Sequence, residues 1–117
     1  MALRLETVGE VVTAYLDGEI DHHTAADIRE QIDSTVGRVS PGLLVLDFRD
    51  VTFMDSSGIG LVMGRYKLLR PLGAELHVVN TSPHIYKVMK LAGLDRLAMI
   101  DKGPGEKNPS DGKEVAK

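Results

Sequence analysis

Asp47-Phe48-Arg49-Asp50-Val51-Thr52-Phe53-Met54-Asp55-Ser56-Ser57-Gly58-Ile59-Gly60 joins two kinds of periodicity. Ahead of it and into it runs Leu43-Leu44-Val45-Leu46-Asp47-Phe48, a nearly continuous apolar segment that reads as a strand buried on both faces or central in a sheet. After it, Ile59, Val62, Met63, Tyr66 and Leu69 recur at helical spacing, which predicts an amphipathic helix from about Ser57 to Leu72. Strand, tight turn and helix mouth meet at Asp55-Ser56-Ser57. Aspartate and serine are preferred N-cap residues, and capping is their commoner use at such a place. A second use fits as well. A helix N-terminus presents free N–H groups and the positive end of a dipole, so a phosphoryl group on Ser56 would be tolerated there. On local features both uses stay open.

Working outward, Leu3, Leu5 and Thr7 alternate with charged residues, Gly9-Glu10 reads as a hairpin turn, and Val11 to Leu16 reads as the partner strand. Gly18-Glu19-Ile20-Asp21 carries the chain off that strand. Thr24 and Asp27 have the form of a capping box, and Ala25, Ile28, Ile32 and Val36 make the apolar stripe of a helix that stops at Gly37. Asp27, Arg29, Glu30 and Asp33 fall on its other side. Beyond the second helix, Leu61, Leu68 and Leu72 lie off the main stripe, as a broader buried face or a partner surface. Gly60 and Gly64, four apart, would admit a close neighbour.

Pro71-Leu72-Gly73 ends that helix, and Ala74 to Val79 alternates as a strand. Ser82-Pro83 opens a third helix with Ile85, Val88, Met89 and Ala92 inward, and Leu97 to Ile100 is a short last strand. This alternation predicts an α/β sandwich with some parallel pairing. Residues 1–102 read as one domain. From Gly103 the chain is rich in breakers and poor in apolar residues, so 103–117 is expected to be a disordered polar tail.

Composition removes several function classes. The 117 residues are 43% apolar and 26% charged with net charge −3, ordinary values for a soluble domain. The basic residues are dispersed, so no direct nucleic-acid contact is expected. No cysteine is available for disulfides, thiolate catalysis or metal binding. Met1 to Glu6 lacks the apolar core of a signal peptide and no apolar run suits a membrane span, so a cytoplasmic protein is expected. Asp55-Ser56-Ser57-Gly58 is not a Gly-x-Ser-x-Gly elbow. Gly58-Ile59-Gly60 would need a glycine at 63 to form a dinucleotide fingerprint; Met63 stands there, with Gly64 one position late, so a nucleotide- or ligand-binding module is the weaker alternative. His22-His23, adjacent in a first helical turn, cannot share one face as metal ligands, and no metal is expected.

Three blocks carry a resemblance: Gly18-Glu19-Ile20-Asp21-His22-His23-Thr24-Ala25, Phe53-Met54-Asp55-Ser56-Ser57-Gly58-Ile59-Gly60, and Gly64-Arg65-Tyr66-Lys67. Together they resemble the anti-sigma factor antagonists, bacterial STAS domains, over roughly residues 3 to 101. The paired histidines resemble the sporulation branch, which acts on the sigma-F pathway, more than the general-stress branch. The resemblance implies a STAS-like sandwich, a mixed sheet of four to five strands with helices mainly on one face. It implies a non-enzymatic antagonist, monomeric when free, that binds an anti-sigma factor serine kinase and so releases the sigma factor. The kinase, which carries the ATP, would phosphorylate Ser56 and break the complex, and a PP2C-type phosphatase would reset it. The antagonist itself needs no cofactor. Asp21 matches the acidic residue beside the phosphoacceptor, and Asp21, His22, Asp55, Ser57, Gly58, Ile59 and Gly60 are the expected partner contacts. A further C-terminal helix common in the family is doubtful here, because of the breakers after Gly103.

Overall fold

The computed structural model describes residues 3–102; the expected tail lies outside them. Strands β1 (Leu3–Val8) and β2 (Val11–Ile20) form an antiparallel hairpin closed by Gly9 at φ +58°. Helix α1 (His22–Val39) leads to β3 (Leu43–Met54), helix α2 (Ser56–Leu69) to β4 (Glu75–Thr81), and helix α3 (Pro83–Leu91) to β5 (Met99–Lys102). The sheet order is β1-β2-β3-β4-β5, with every pair after the hairpin parallel. Three successive crossovers advance in one direction. Because such crossovers are right-handed, α1, α2 and α3 all cover the same face.

Register explains which side chains fill the space beneath them. Val12, Leu44 and Leu76 align across the sheet, as do Ala14, Leu46 and Val78, and all six are buried. Ile28, Ile32 and Val36 of α1 and Leu61, Val62 and Leu69 of α2 close over them, with Ile85 and Met89 of α3. Burying a side chain of this size is worth about 1.5–3 kcal/mol. The opposite face carries Tyr15, Val45, Asp47, His77 and Val79, all partly exposed.

Several element ends depart from the sequence reading. Strand β2 continues past Leu16 to Ile20 with its inward parity unchanged, and the register shifts after Tyr15 and after Gly18 (φ +82°) are taken up by extra residues of β3, so that Phe48, Val51 and Met54 are all buried. Strand β3 continues to Met54 although Arg49, Asp50, Thr52 and Phe53 break the alternation, because β2 pairs with it to the end. Helix α1 runs through Gly37 and stops at Ser40, which takes the left-handed conformation at φ 50° just before Pro41. Helix α2 starts one residue early and ends at Leu69, and a 3-10 turn covers Arg70–Leu72. Leu61 belongs to the core at 3% exposure, whereas Leu72 is exposed. Ala92 caps α3 in the open rather than packing inward. Among the described residues no helix is long and apolar enough to cross a membrane.

Candidate phosphoacceptor site

Two aspartates leave the sheet side by side. Ile20 pairs with Met54 across the parallel β2–β3 ladder, and the Asp55 N–H donates to the Ile20 carbonyl at 3.1 Å. The next residue of each strand, Asp21 and Asp55, is the N-cap of the following helix. Parallel neighbours lie about 4.8 Å apart, so the mouths of α1 and α2 open on one rim of the sheet.

The capping chemistry differs from that expected for α1. Asp21 Oδ1 accepts from the backbone N–H groups of His23 (2.9 Å) and Thr24 (3.0 Å), while Thr24 Oγ1 accepts from the Asp21 N–H at 2.9 Å. The capping box is therefore Asp21 with Thr24, not Thr24 with Asp27; its partner is a hydroxyl where the usual pattern has a Glu or Gln. The Thr24 N–H bond above all holds the Asp21 carboxyl below its ordinary value; desolvation opposes it, and the His23 N–H and the Thr24 hydroxyl add to the lowering. His22 and His23 are exposed in the first turn with ring centroids 4.1 Å apart, and no metal-holding cluster occurs among the described residues.

At α2 the cap role falls to Asp55. Its Oδ1 accepts from the Ser57 N–H at 2.7 Å, and its carbonyl from the Gly58 N–H at 3.0 Å. Ser56, the first helical residue, is exposed, and its hydroxyl makes no hydrogen bond among the described residues. The serine is thus freed from the capping duty that was the competing explanation for it. The same geometry narrows the expected anion cradle. Asp55 takes the Ser57 and Gly58 N–H groups, so a phosphoryl group on Ser56 would share the helix mouth with that carboxylate.

The remaining expected contacts divide. Ser57 and Gly60 line a groove between α1 and α2. Ile59 is half-buried against the core. Gly58 faces inward: a Cβ there would collide with Cγ and Sδ of Met54, so it closes the β3–α2 junction instead of offering a contact. Gly60 and Gly64, expected to admit a close neighbour, have none among the described residues: a Cβ placed on either meets nothing within 4 Å. All three glycines lie inside a helix that follows a one-residue connection, so no glycine-rich phosphate loop exists here.

The sequence analysis missed the charge pair that joins the two helices. Arg65 Nε lies 2.8 Å from Asp33 Oδ1, Nη2 donates to Oδ2 at 3.2 Å, and Nη1 reaches the Leu61 carbonyl at 3.4 Å. The Arg65 side chain is 7% exposed, and burial lowers its pKa while Asp33 opposes that shift. Asp33, expected on the solvent side of α1, is turned into the helix–helix seam. The available signal was Arg65 four residues from both Leu61 and Leu69 on the buried stripe.

Comparison with known proteins places this geometry. A STAS domain family model matches residues 2–105. The anti-sigma F factor antagonist of Paenibacillus polymyxa is 34% identical over 100 residues, covering 86% of each chain. The unphosphorylated form of the anti-sigma factor antagonist SpoIIAA superposes with a TM-score of 0.76 at 30% identity, over 98% of this chain and 96% of that one. The phosphorylated form of the Bacillus cell fate determinant SpoIIAA gives 0.70 at 31% identity, over 99% and 100%. The chain, with its hairpin-led mixed sheet and its twin aspartate-capped helices, belongs to the STAS domain family.

Proposed function

We propose that this protein is an anti-sigma factor antagonist: a regulatory ligand and kinase substrate, not an enzyme. Its unphosphorylated form binds an anti-sigma factor serine kinase through the rim bearing Asp21, Asp55 and Ser56, and the bound sigma factor is released. Phosphorylation of Ser56 ends the interaction, and a PP2C-type phosphatase restores it. The observation that carries this reading is the exposed Ser56 hydroxyl, unbonded because Asp55 has taken the cap. The relatives named above support it, as does the fact that SpoIIAA has been solved in both phosphorylation states.

The physical effect is local charge. A phosphoserine adds about −1.5 to −2 charge, repelled by Asp21 and Asp55 at a helix mouth where Asp55 already takes two of the N–H groups. A partner face fitted to the neutral rim then meets a hydrated dianion, and losing about 1–3 kcal/mol of contact weakens binding roughly 5- to 150-fold. The adjacent His22-His23 pair and the Paenibacillus relative favour the sporulation sigma-F pathway over general stress. The chain uses no cofactor, acts in the cytoplasm and is monomeric when free; the ATP belongs to the kinase.

The test incubates the full chain with the anti-sigma kinase of the same genome and ATP. Mass spectrometry should locate one phosphoryl group, on Ser56, absent from Ser56→Ala, with loss of complex as it accumulates. Complex formation that survives stoichiometric phosphorylation would sink the switch.

A further inference from the structure

The groove between α1 and α2, about 330 Å³, opens beside the phosphoacceptor rim with His22 and Ser57 at its lining. Its charge is one-sided. Arg65 and Arg29 both line it, and the charge of Arg29 adds to the lowering of the Arg65 pKa by burial. Asp33 neutralises Arg65 alone. Arg29 is exposed and forms no ion pair among the described residues, and none of the groove's lining residues is acidic. A chain with net charge −3 has acids to spare, yet this groove keeps an uncompensated cation.

Its floor is open as well as positive. Gly60 and Gly64 are helical, where glycine is less stable than alanine. Packing within the domain does not explain them, since a Cβ on either meets nothing within 4 Å. The space they leave belongs to the groove that Arg29 also lines.

We infer that this groove seats an acidic side chain of the anti-sigma factor, held by Arg29 and admitted by Gly60 and Gly64. The inference rests on the proposed antagonist function and adds a second contact of opposite sign to the acidic rim. The antagonist then presents carboxylates at the helix mouths and a guanidinium between the helices, a pattern that fixes the partner's orientation as well as its affinity. A phosphoryl group on Ser56 disturbs the first contact and leaves the second in place.

The experiment titrates the unphosphorylated full chain with its anti-sigma kinase by calorimetry, using wild type, Arg29→Glu and Gly64→Leu, each checked by thermal melting. Both variants should melt at or above the wild-type temperature and bind about tenfold or more weakly. Their Ser56 phosphorylation should show a raised KM at unchanged kcat. Arg29 is exposed, so Arg29→Glu remains informative even if Gly64→Leu perturbs α2. Variants that bind within twofold of a binding wild type overturn the groove and leave the antagonist reading standing. A wild type that does not bind overturns both. Saturable binding of ATP alone to the groove, lost in Arg29→Glu while kinase binding stays intact, assigns the cation to a small anion and also overturns the inference.

Discussion

Asp21 and Asp55 do the same work at two helix mouths, and hydrogen bonding holds the Asp21 carboxyl below its ordinary value. The Asp21 carboxylate gains two backbone N–H bonds on folding, so its folded pKa lies below the usual 3.8. Its contribution is therefore complete above that value and is lost as pH falls through the lower folded pKa. Asp21→Asn keeps a capping oxygen but no titration. The stability gap between wild type and this variant should be constant from pH 7 to about pH 5 and shrink in the acid range below 3.8, followed by urea unfolding. A carboxyl resonance titrating at or above 3.8 would contradict the assignment. At this scale the sequence was informative: Asp21, Asp55 and Ser56 were all marked by residue type and by position after a strand. What it left open was the division of labour, since any of Asp55, Ser56 or Ser57 is chemically able to cap. Backbone direction at the end of β3 assigned the cap to Asp55 and exposed the serine.

Between elements, the seam of α1 and α2 depends on one ion pair that periodicity could not reveal. Arg65 is nine-tenths buried, so removing its partner leaves a desolvated guanidinium, while Asp33 at 35% exposure admits some water in compensation. Asp33→Ala should cost about 2 kcal/mol in urea unfolding, below the deepest buried pairs because of that exposure. The double variant Asp33→Ala/Arg65→Met should recover most of the loss, because an apolar pair of similar volume needs no desolvation. A double variant as unstable as the single one would show that the pair's geometry, not its burial, carries the stability. Strand ends were misjudged for a related reason. Gly18 and the charged residues of Arg49–Asp50 look like breakers in isolation, but a neighbouring strand supplies their backbone hydrogen bonds and carries both strands to the rim.

Over the whole molecule, a rigid sheet with all helices on one face places the switch at an edge and away from the core. Phosphorylation should therefore leave the fold unchanged: amide shifts confined near residues 19–25 and 53–60, and a Tm within about 5 °C of the unmodified chain, less than about 1 kcal/mol for a domain of this size. Shifts spread through β4 and α3 would indicate refolding instead. By itself the sequence determined the α/β alternation, the hairpin, the apolar stripe of α1 and the Asp-Ser-Ser-Gly and Asp-His-His-Thr blocks, because those signals are local periodicities and side-chain types within a few residues of one another. Tertiary structure alone decided that Asp21 and Asp55 share a rim, that Asp55 takes the Ser57 and Gly58 N–H groups, that Gly58 faces inward on Met54, and that Arg65 closes the helix seam while Arg29 has no ion-pair partner among the described residues. Each of these joins residues through strand register or helix packing, and neither is set by a short window of chain.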